Sequence, residues 1–164
     1  SARQTEEMFQ ANLKTADALA DDDHSALADI TRASTLRFRD WYNLNEKRTH
    51  LRWAWHEFFK KFDVLLTPMC FTSAFPHDHN PKNSERMISV NNEPRNYFEQ
   101  MFWAGLTGVS YLPSTVIPTG PDSQGLPIGI QIVSREMGDL FAIDFADQVS
   151  QELNGFVAPA NFRS

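Results

Sequence analysis

A single cysteine, Cys70, in 164 residues leaves nothing for an intrachain disulfide and nothing for a thiolate-rich metal cluster. The default setting for such a chain is reducing and cytoplasmic. Long hydrophobic runs are missing as well. No apolar stretch approaches the roughly 18 to 20 residues that span a bilayer, and the opening residues lack the charged-then-apolar order of a secretory leader. The expectation is a soluble protein without a membrane partner. Positive charge is scarce: 15 Lys and Arg against 21 Asp and Glu give a formal net charge of −6. With no basic run to meet a phosphate backbone, a nucleic-acid partner is not expected. Ser1 is not an initiating methionine, which fits either processing or a chain that starts inside a longer protein.

What the chain has in quantity is aromatic surface. Four Trp and thirteen Phe, with 12% aromatic residues overall, exceed what a solvated linker carries and predict burial in a core or an interface. At this length, with 41% hydrophobic residues, one domain is expected, burying roughly two-thirds of its unfolded surface if it folds alone.

Apolar residues recur from Phe9 at Leu13, Ala16 and Ala20, a helical spacing that ends in Asp21-Asp22-Asp23, where acidic groups oppose the helix dipole. Ser25 or an aspartate suits the cap of the next helix. Trp41, Leu44, Leu51, Trp55, Phe58 and Phe62 then form a heptad-like stripe that only Arg48 interrupts. The stripe fits one long helix or two; the polar stretch 43–49 offers alternative caps and predicts a break. Asp63 to Thr67 predicts a short strand buried on both faces. Residues 68–94, with four prolines and little periodicity, predict a long loop. Asn92 or Glu93 before Pro94 predicts a helix running to about Leu106.

Between Leu106 and Val133 the punctuation sharpens. Pro113 and Pro118 bracket Ser114-Thr115-Val116-Ile117, and Gly120, Gly125 and Gly129 sit where a chain reverses or approaches another backbone, which predicts strand, turn, strand. A final helix is predicted from Asp139 to Leu153, stopped by Asn154-Gly155. Largely apolar strands separated by helices indicate an α/β protein with helices on both faces of its sheet. Three strands leave an edge open, so further strands are expected from elsewhere.

Three constellations invite chemistry. Cys70 with His77 and His79 has the residue types of a thiol and its base, but such pairs seldom meet through local adjacency, and a structural cysteine is the expectation. His77-Asp78-His79 lacks a convincing third ligand, and no metal or other cofactor is expected. Ser114 and Thr115 have no lysine after Lys82 and no histidine after His79 to serve as a base, so they are strand residues. Gln131, polar in an apolar strand, is expected to satisfy backbone groups.

Asp63-Val64-Leu65-Leu66-Thr67-Pro68, then Gly108 with Pro113 and Pro118, then Gly125-Leu126-Pro127-Ile128-Gly129-Ile130-Gln131, followed by an amphipathic helix, resemble in order and spacing the carboxy-terminal part of the amidase signature family. Two features differ. Gly105 stands where the family often has asparagine, and Val109 to Leu112 lengthen the interval to the next proline. The resemblance implies part of a mixed-sheet α/β fold in a serine amide hydrolase that converts carboxamides to a carboxylate and an amine or ammonia. It also implies that the loop after Pro68 lies near the substrate cavity. Met69 and Phe71, and on the next helix Phe102 and Trp103, are therefore substrate-pocket candidates, with packing as their ordinary role.

The family's machinery is a serine activated through a second serine in a cis peptide and a lysine, beside a glycine-rich oxyanion segment. This chain contains neither Ser-Ser nor Gly-Gly. No catalytic residue is carried over to it. The expectation is either a single domain over 1–164 or a carboxy-terminal fragment, inactive by itself, whose partners are the amino-terminal part of the amidase and the complete enzyme's small carboxamide substrate. The other expectation is a non-catalytic relative that serves as an interaction or dimerisation module through the helix around Trp53 and Trp55. Either way exposed edges and apolar faces would favour a homodimer.

Overall fold

In a computed structural model, residues 4–153 and 155–158 are described. Thr5 accepts from the Met8 amide at 3.3 Å and, with Glu6 and Glu7 in the first turn, starts helix α1, Glu6–Asp17. The three aspartates lie beyond its end. Asp23 accepts from the Ser25 amide at 2.9 Å, and the Ser25 hydroxyl caps helix α2, Ala26–Ser34, by accepting from Ala28 at 3.3 Å.

Helix α3, Phe38–Phe58, runs without interruption. The break predicted within 43–49 falls instead at residues 35–37. Asn45 and Thr49, two of the residues that could have capped the predicted break, bond inside the helix: the Asn45 carbonyl accepts from the Thr49 hydroxyl at 3.0 Å and its side-chain oxygen accepts from Arg48. Strand β1, Leu65–Pro68, begins later than expected and is not buried on both faces, since Thr67 is buried while Leu66 is 50% exposed. The reason is its place at the sheet edge.

The predicted long loop contains structure of its own. A 3₁₀ turn, Asn83–Glu85, leads into strand β2, Met87–Val90, which pairs antiparallel with strand β3, Glu93–Asn96. Asn91 and Asn92 both have positive φ, 54° and 66°, the conformation whose twist matches a two-residue hairpin. Pro94 therefore stands in a strand, tolerated because this two-stranded ribbon has free edges. The helix start expected there moves to Asn96, which accepts from Phe98 at 3.0 Å while its own amide donates to Glu99 at 3.2 Å, a capping box. A 3₁₀ turn, Tyr97–Met101, then passes into helix α4, Phe102–Val109.

Strands β4, Ser114–Pro121, and β5, Pro127–Val133, form the expected hairpin, with a register irregularity between Pro118 and Gly120. The sheet order is β1-β5-β4, and both pairings are antiparallel. Helix α5, Asp139–Glu152, lies across the hairpin and supplies Ala146 to a core with Ile117 and Ile132, flanked by Val64, Ile130, Phe145 and Val149. On the opposite face of β5, Gln131 and Val133 are also buried. The protein is α/β, as expected. Asn154, half of the expected stop signal, lies outside the described residues; Gly155 has φ 60°.

A Cβ on Gly138, at the start of α5, would stand 2.5 Å from the Ser134 hydroxyl oxygen and 2.8 Å from the Arg135 carbonyl oxygen. Gly138→Ala is expected to cost about 1–3 kcal/mol through forced displacement of backbone. Gly105, inside α4, has nothing within 4 Å of its virtual Cβ beyond its own helix, so Gly105→Ala should stabilise by about 0.5–1 kcal/mol. Urea midpoints of the two variants check both signs.

Candidate functional site

Strand β1 ends at Pro68, and the chain leaves the sheet through Met69, Cys70 and Phe71. The β2–β3 hairpin and the start of α4 come to the same place. Between them lies a cleft of about 430 Å³ bordered by Cys70, Phe71, Asn91, Glu93, Arg95 and Trp103, among others. A second hollow of about 380 Å³ shares Cys70 and Phe71 with it and adds Met69, Gln100, Ile128 and Gly129. Of the four residues singled out in the sequence, Phe71 and Trp103 meet at the first cleft, and Met69 joins Phe71 at the second. Phe102 is 58% exposed and meets Trp103 edge-on, with ring centroids 5.1 Å apart.

Glu93 and Arg95 were not legible as site residues, because alternation along β3 gives them one face only once the hairpin is recognised. Their charges are not equivalent. Arg95 is held by Glu99, Nε to Oε2 at 2.7 Å and Nη2 to the same oxygen at 2.6 Å. Glu93 has no ion pair or side-chain hydrogen bond among the described residues. The cleft thus has an aromatic wall, a thiol and one uncompensated carboxylate.

Two polar contacts fix the frame. On β5, Gln131 Nε2 donates to Thr67 Oγ1 at 3.1 Å, both side chains being buried; the expected partner was backbone, and it is a side chain across the sheet. The loop after β1 is tied to the β4–β5 turn by Ser73, whose hydroxyl donates to Asp122 Oδ2 at 2.6 Å. The other Asp122 oxygen accepts from the amides of Gln124 and Leu126 at 2.8 and 2.9 Å. Ser73 first, and then the backbone donors, hold the Asp122 carboxyl below the usual aspartate range.

Cys70 borders the cleft, whereas His77 and His79, with ring centroids 5.9 Å apart, border a different hollow with Phe75, Arg86 and Tyr97. The structure does not bring them together as a nucleophile and base. No cluster of three metal-ligating side chains occurs among the described residues.

Helix α4 ends where the Leu112 amide donates to the Thr107 carbonyl at 3.1 Å and that of Tyr111 to Gly108 at 3.4 Å. This is the pattern of a left-handed helix stop. Tyr111, φ 59°, occupies the position usually given to glycine. Arg48 and Arg52 of α3 lie 4.7 and 4.9 Å from the centre of its ring, and Arg52 also pairs with Glu136. Arg48 is therefore no interruption of the α3 stripe but its attachment to this turn.

A family model described as Amidase matches residues 7–140, and the chain belongs to the amidase family, with the amidase signature pattern read in its sequence. Among curated relatives, it is 31% identical over 105 residues to a fatty acid amide hydrolase of Oryza sativa subsp. indica, an alignment covering 63% of this chain and 16% of that protein. It is 29% identical over 117 residues to a glutamyl-tRNA(Gln) amidotransferase subunit of Leptospira interrogans, covering 70% and 22%. Among solved structures, a chain from a vestigial protein complex bearing on the origins of an s-triazine catabolic enzyme superposes with a TM-score of 0.60 at 19% identity, over 89% of this chain and 31% of that one. A bacterial aryl acylamidase of the amidase signature family gives a TM-score of 0.51 at 22% identity, over 90% and 32%. These likenesses show the fold. The chain spans about a fifth of the length of these curated relatives.

Thr67→Val should cost about 1–3 kcal/mol by stranding the buried Gln131 amide, and adding Gln131→Leu should recover part of the loss, which a double-mutant cycle in urea measures. The Asp122 network predicts a pH dependence. Its folded pKa is depressed, so its contribution is present above the unfolded pKa and is lost as pH falls through the folded value. Wild type and Asp122→Asn should separate in urea near neutral pH and converge below the ordinary aspartate value of 3.8.

Proposed function

We propose that this chain is the carboxy-terminal portion of an amide hydrolase. In this reading it supplies sheet strands, covering helices and the wall of a carboxamide pocket, and the remainder of the enzyme supplies the serine nucleophile, its lysine and the oxyanion donors. The observation that carries the reading is chemical: a chain of this family without Ser-Ser or Gly-Gly has no means of building the family's serine pair or its oxyanion segment. Holding a non-proline cis peptide against about 3 kcal/mol of intrinsic cost requires a dedicated surrounding.

Surface supports the same reading. The chain exposes 12613 Å², whereas a folded monomer of 18.7 kDa is expected to expose about 8,300 Å². Part of the excess is apolar: Trp41, Leu44, Leu51 and Val109 border an open groove of about 450 Å³ on α3. The remaining two-thirds of an amidase domain would cover such a face. Met69, Phe71 and Trp103 then form the pocket wall, with Phe102 against the edge of Trp103. No helix among the described residues is long and apolar enough to cross a membrane, and the cytoplasm is the proposed location. Without its complement the chain would cover its exposed faces by forming a homodimer.

The chain alone should show no turnover of an aryl amide, and mixing it with the remaining part of its parent polypeptide should restore hydrolysis. Turnover by the chain alone, or a natural gene product whose intact mass equals this chain, overturns the proposal.

A further inference from the structure

The cleft at the end of β1 has an imbalance of charge that its neighbours do not cancel. Glu93 and Arg95 alternate with Pro94 on β3 and so share a face. The Arg95 guanidinium is committed to Glu99 by two contacts under 2.8 Å. Glu99 is itself fixed by the Asn96 amide at 3.2 Å. That pair is neutral and anchored in the capping box, so the cleft keeps the Glu93 carboxylate as its one unpaired charge among the described residues. The same cleft is bordered by Phe71 and Trp103. Aromatic faces carry negative electrostatic potential, strongest for indole, and attract cations. A carboxylate and two aromatic side chains, beside an Arg95 that is already ion-paired to Glu99, surround about 430 Å³, in the size range of small-molecule sites.

From this we infer that the cleft selects carboxamides carrying a positive charge, an ammonium or amidinium group, over neutral and anionic isosteres. The inference rests on the reading of this cleft as part of an amidase substrate pocket, and it names the class of substrate that the pocket takes. Glu93 acts as a specificity-determining residue, Trp103 supplies the aromatic face, and Arg95 is withheld from an anionic ligand by Glu99.

Binding to the chain itself tests this, without any need for turnover. Three probes of one shape are titrated near neutral pH and low salt: para-aminomethylbenzamide, para-methylbenzamide and para-carbamoylbenzoate. Binding is followed by amide NMR shifts of residues bordering the cleft. The cation is expected to bind about tenfold more tightly than the neutral isostere, the combined scale of an exposed ion pair and a cation–π contact, with the anion weakest. Glu93→Gln, at an exposed strand position, should abolish the preference while leaving the NMR spectrum of the fold intact, and Phe71→Leu should weaken all three probes. Equal binding of the three, preference for the anion, an unchanged preference in Glu93→Gln, or no saturable shifts at the cleft overturns the inference. Restoration of hydrolysis by the complementary polypeptide is a separate readout, so cation selectivity and the amidase reading can fail independently.

Discussion

Strand β5 is the constraint to which the rest of the molecule is referred. Gln131, Ile132, Val133 and Ser134 are buried in succession, and the strand lies between β1 and β4, so one residue registers two neighbours: Val133 stands opposite both Leu65 and Ser114, and Gln131 opposite both Thr67 and Val116. Beyond it, the Ser134 amide donates to the Pro113 carbonyl at 3.1 Å and its hydroxyl to the Gly138 carbonyl at 2.8 Å, which fixes the entry to β4 and the start of α5. A slip of one residue would exchange the α5-facing isoleucines with Gln131 and Val133. The Thr67–Gln131 bond forbids that slip on the side of β1. It also sets where Met69 to Phe71 leave the sheet, and therefore where the cleft is.

The helical part of the chain is held differently. Helix α3 buries none of its described residues, and its aromatics stack on one another and on Phe62 just beyond its end: Phe38 on Trp41 at 6.0 Å, Trp55 against Phe58 at 5.4 Å, and Phe58 on Phe62 at 4.7 Å. These are contacts at helical spacing, the kind that stabilise a helix by a few tenths of a kcal/mol each. They cover little of the apolar surface. The long-range attachment of α3 is polar and aromatic, through Arg48, Arg52, Tyr111 and Glu136. Sheet and helix thus solve the burial problem to different degrees, and the uncovered portion is the part that the amidase reading assigns to the rest of a larger fold.

The β4–β5 hairpin and α5 were legible because proline, glycine and helical periodicity act locally, and the Pro127–Val133 strand is also where the amidase resemblance is most specific. The Met87–Asn96 hairpin, which begins inside the predicted loop, was hidden by Pro94 in its second strand. Its signal was the Asn91-Asn92 pair, two residues that tolerate positive φ, after the β-prone run Met87–Val90; Glu93–Asn96 has little strand propensity of its own. Without that hairpin Pro94 reads as a helix start, and nothing in the sequence places Glu93 and Arg95 on the cleft. Strand-end logic and family resemblance point to Met69, Phe71, Phe102 and Trp103 as candidates; the first two and Trp103 border the two hollows, Phe102 borders neither, and contact with substrate belongs to the proposal. The withdrawal of Arg95 by Glu99 depends on side-chain geometry, which no spacing rule conveys. The aromatic stripe of α3 was visible, but periodicity identifies an apolar face without saying what covers it.

Tyr111 carries a consequence for how this sequence can vary. A bulky residue in the left-handed region costs about 1–2 kcal/mol, and two guanidinium contacts on its ring, at about 0.5–1 kcal/mol each, offset that cost. The tyrosine is acceptable because Arg48 and Arg52 are present, and Arg48 is accommodated on an otherwise apolar stripe because the tyrosine is there. Changed singly, Tyr111 leaves Arg48 unmatched on the stripe and loss of either arginine leaves the tyrosine strained; exchanged together, for a glycine at the helix stop and an apolar residue at position 48, the penalties vanish. The three positions form an epistatic unit, so drift across them is expected to proceed by linked replacement, with sequence change at the end of α4 recorded far upstream on α3.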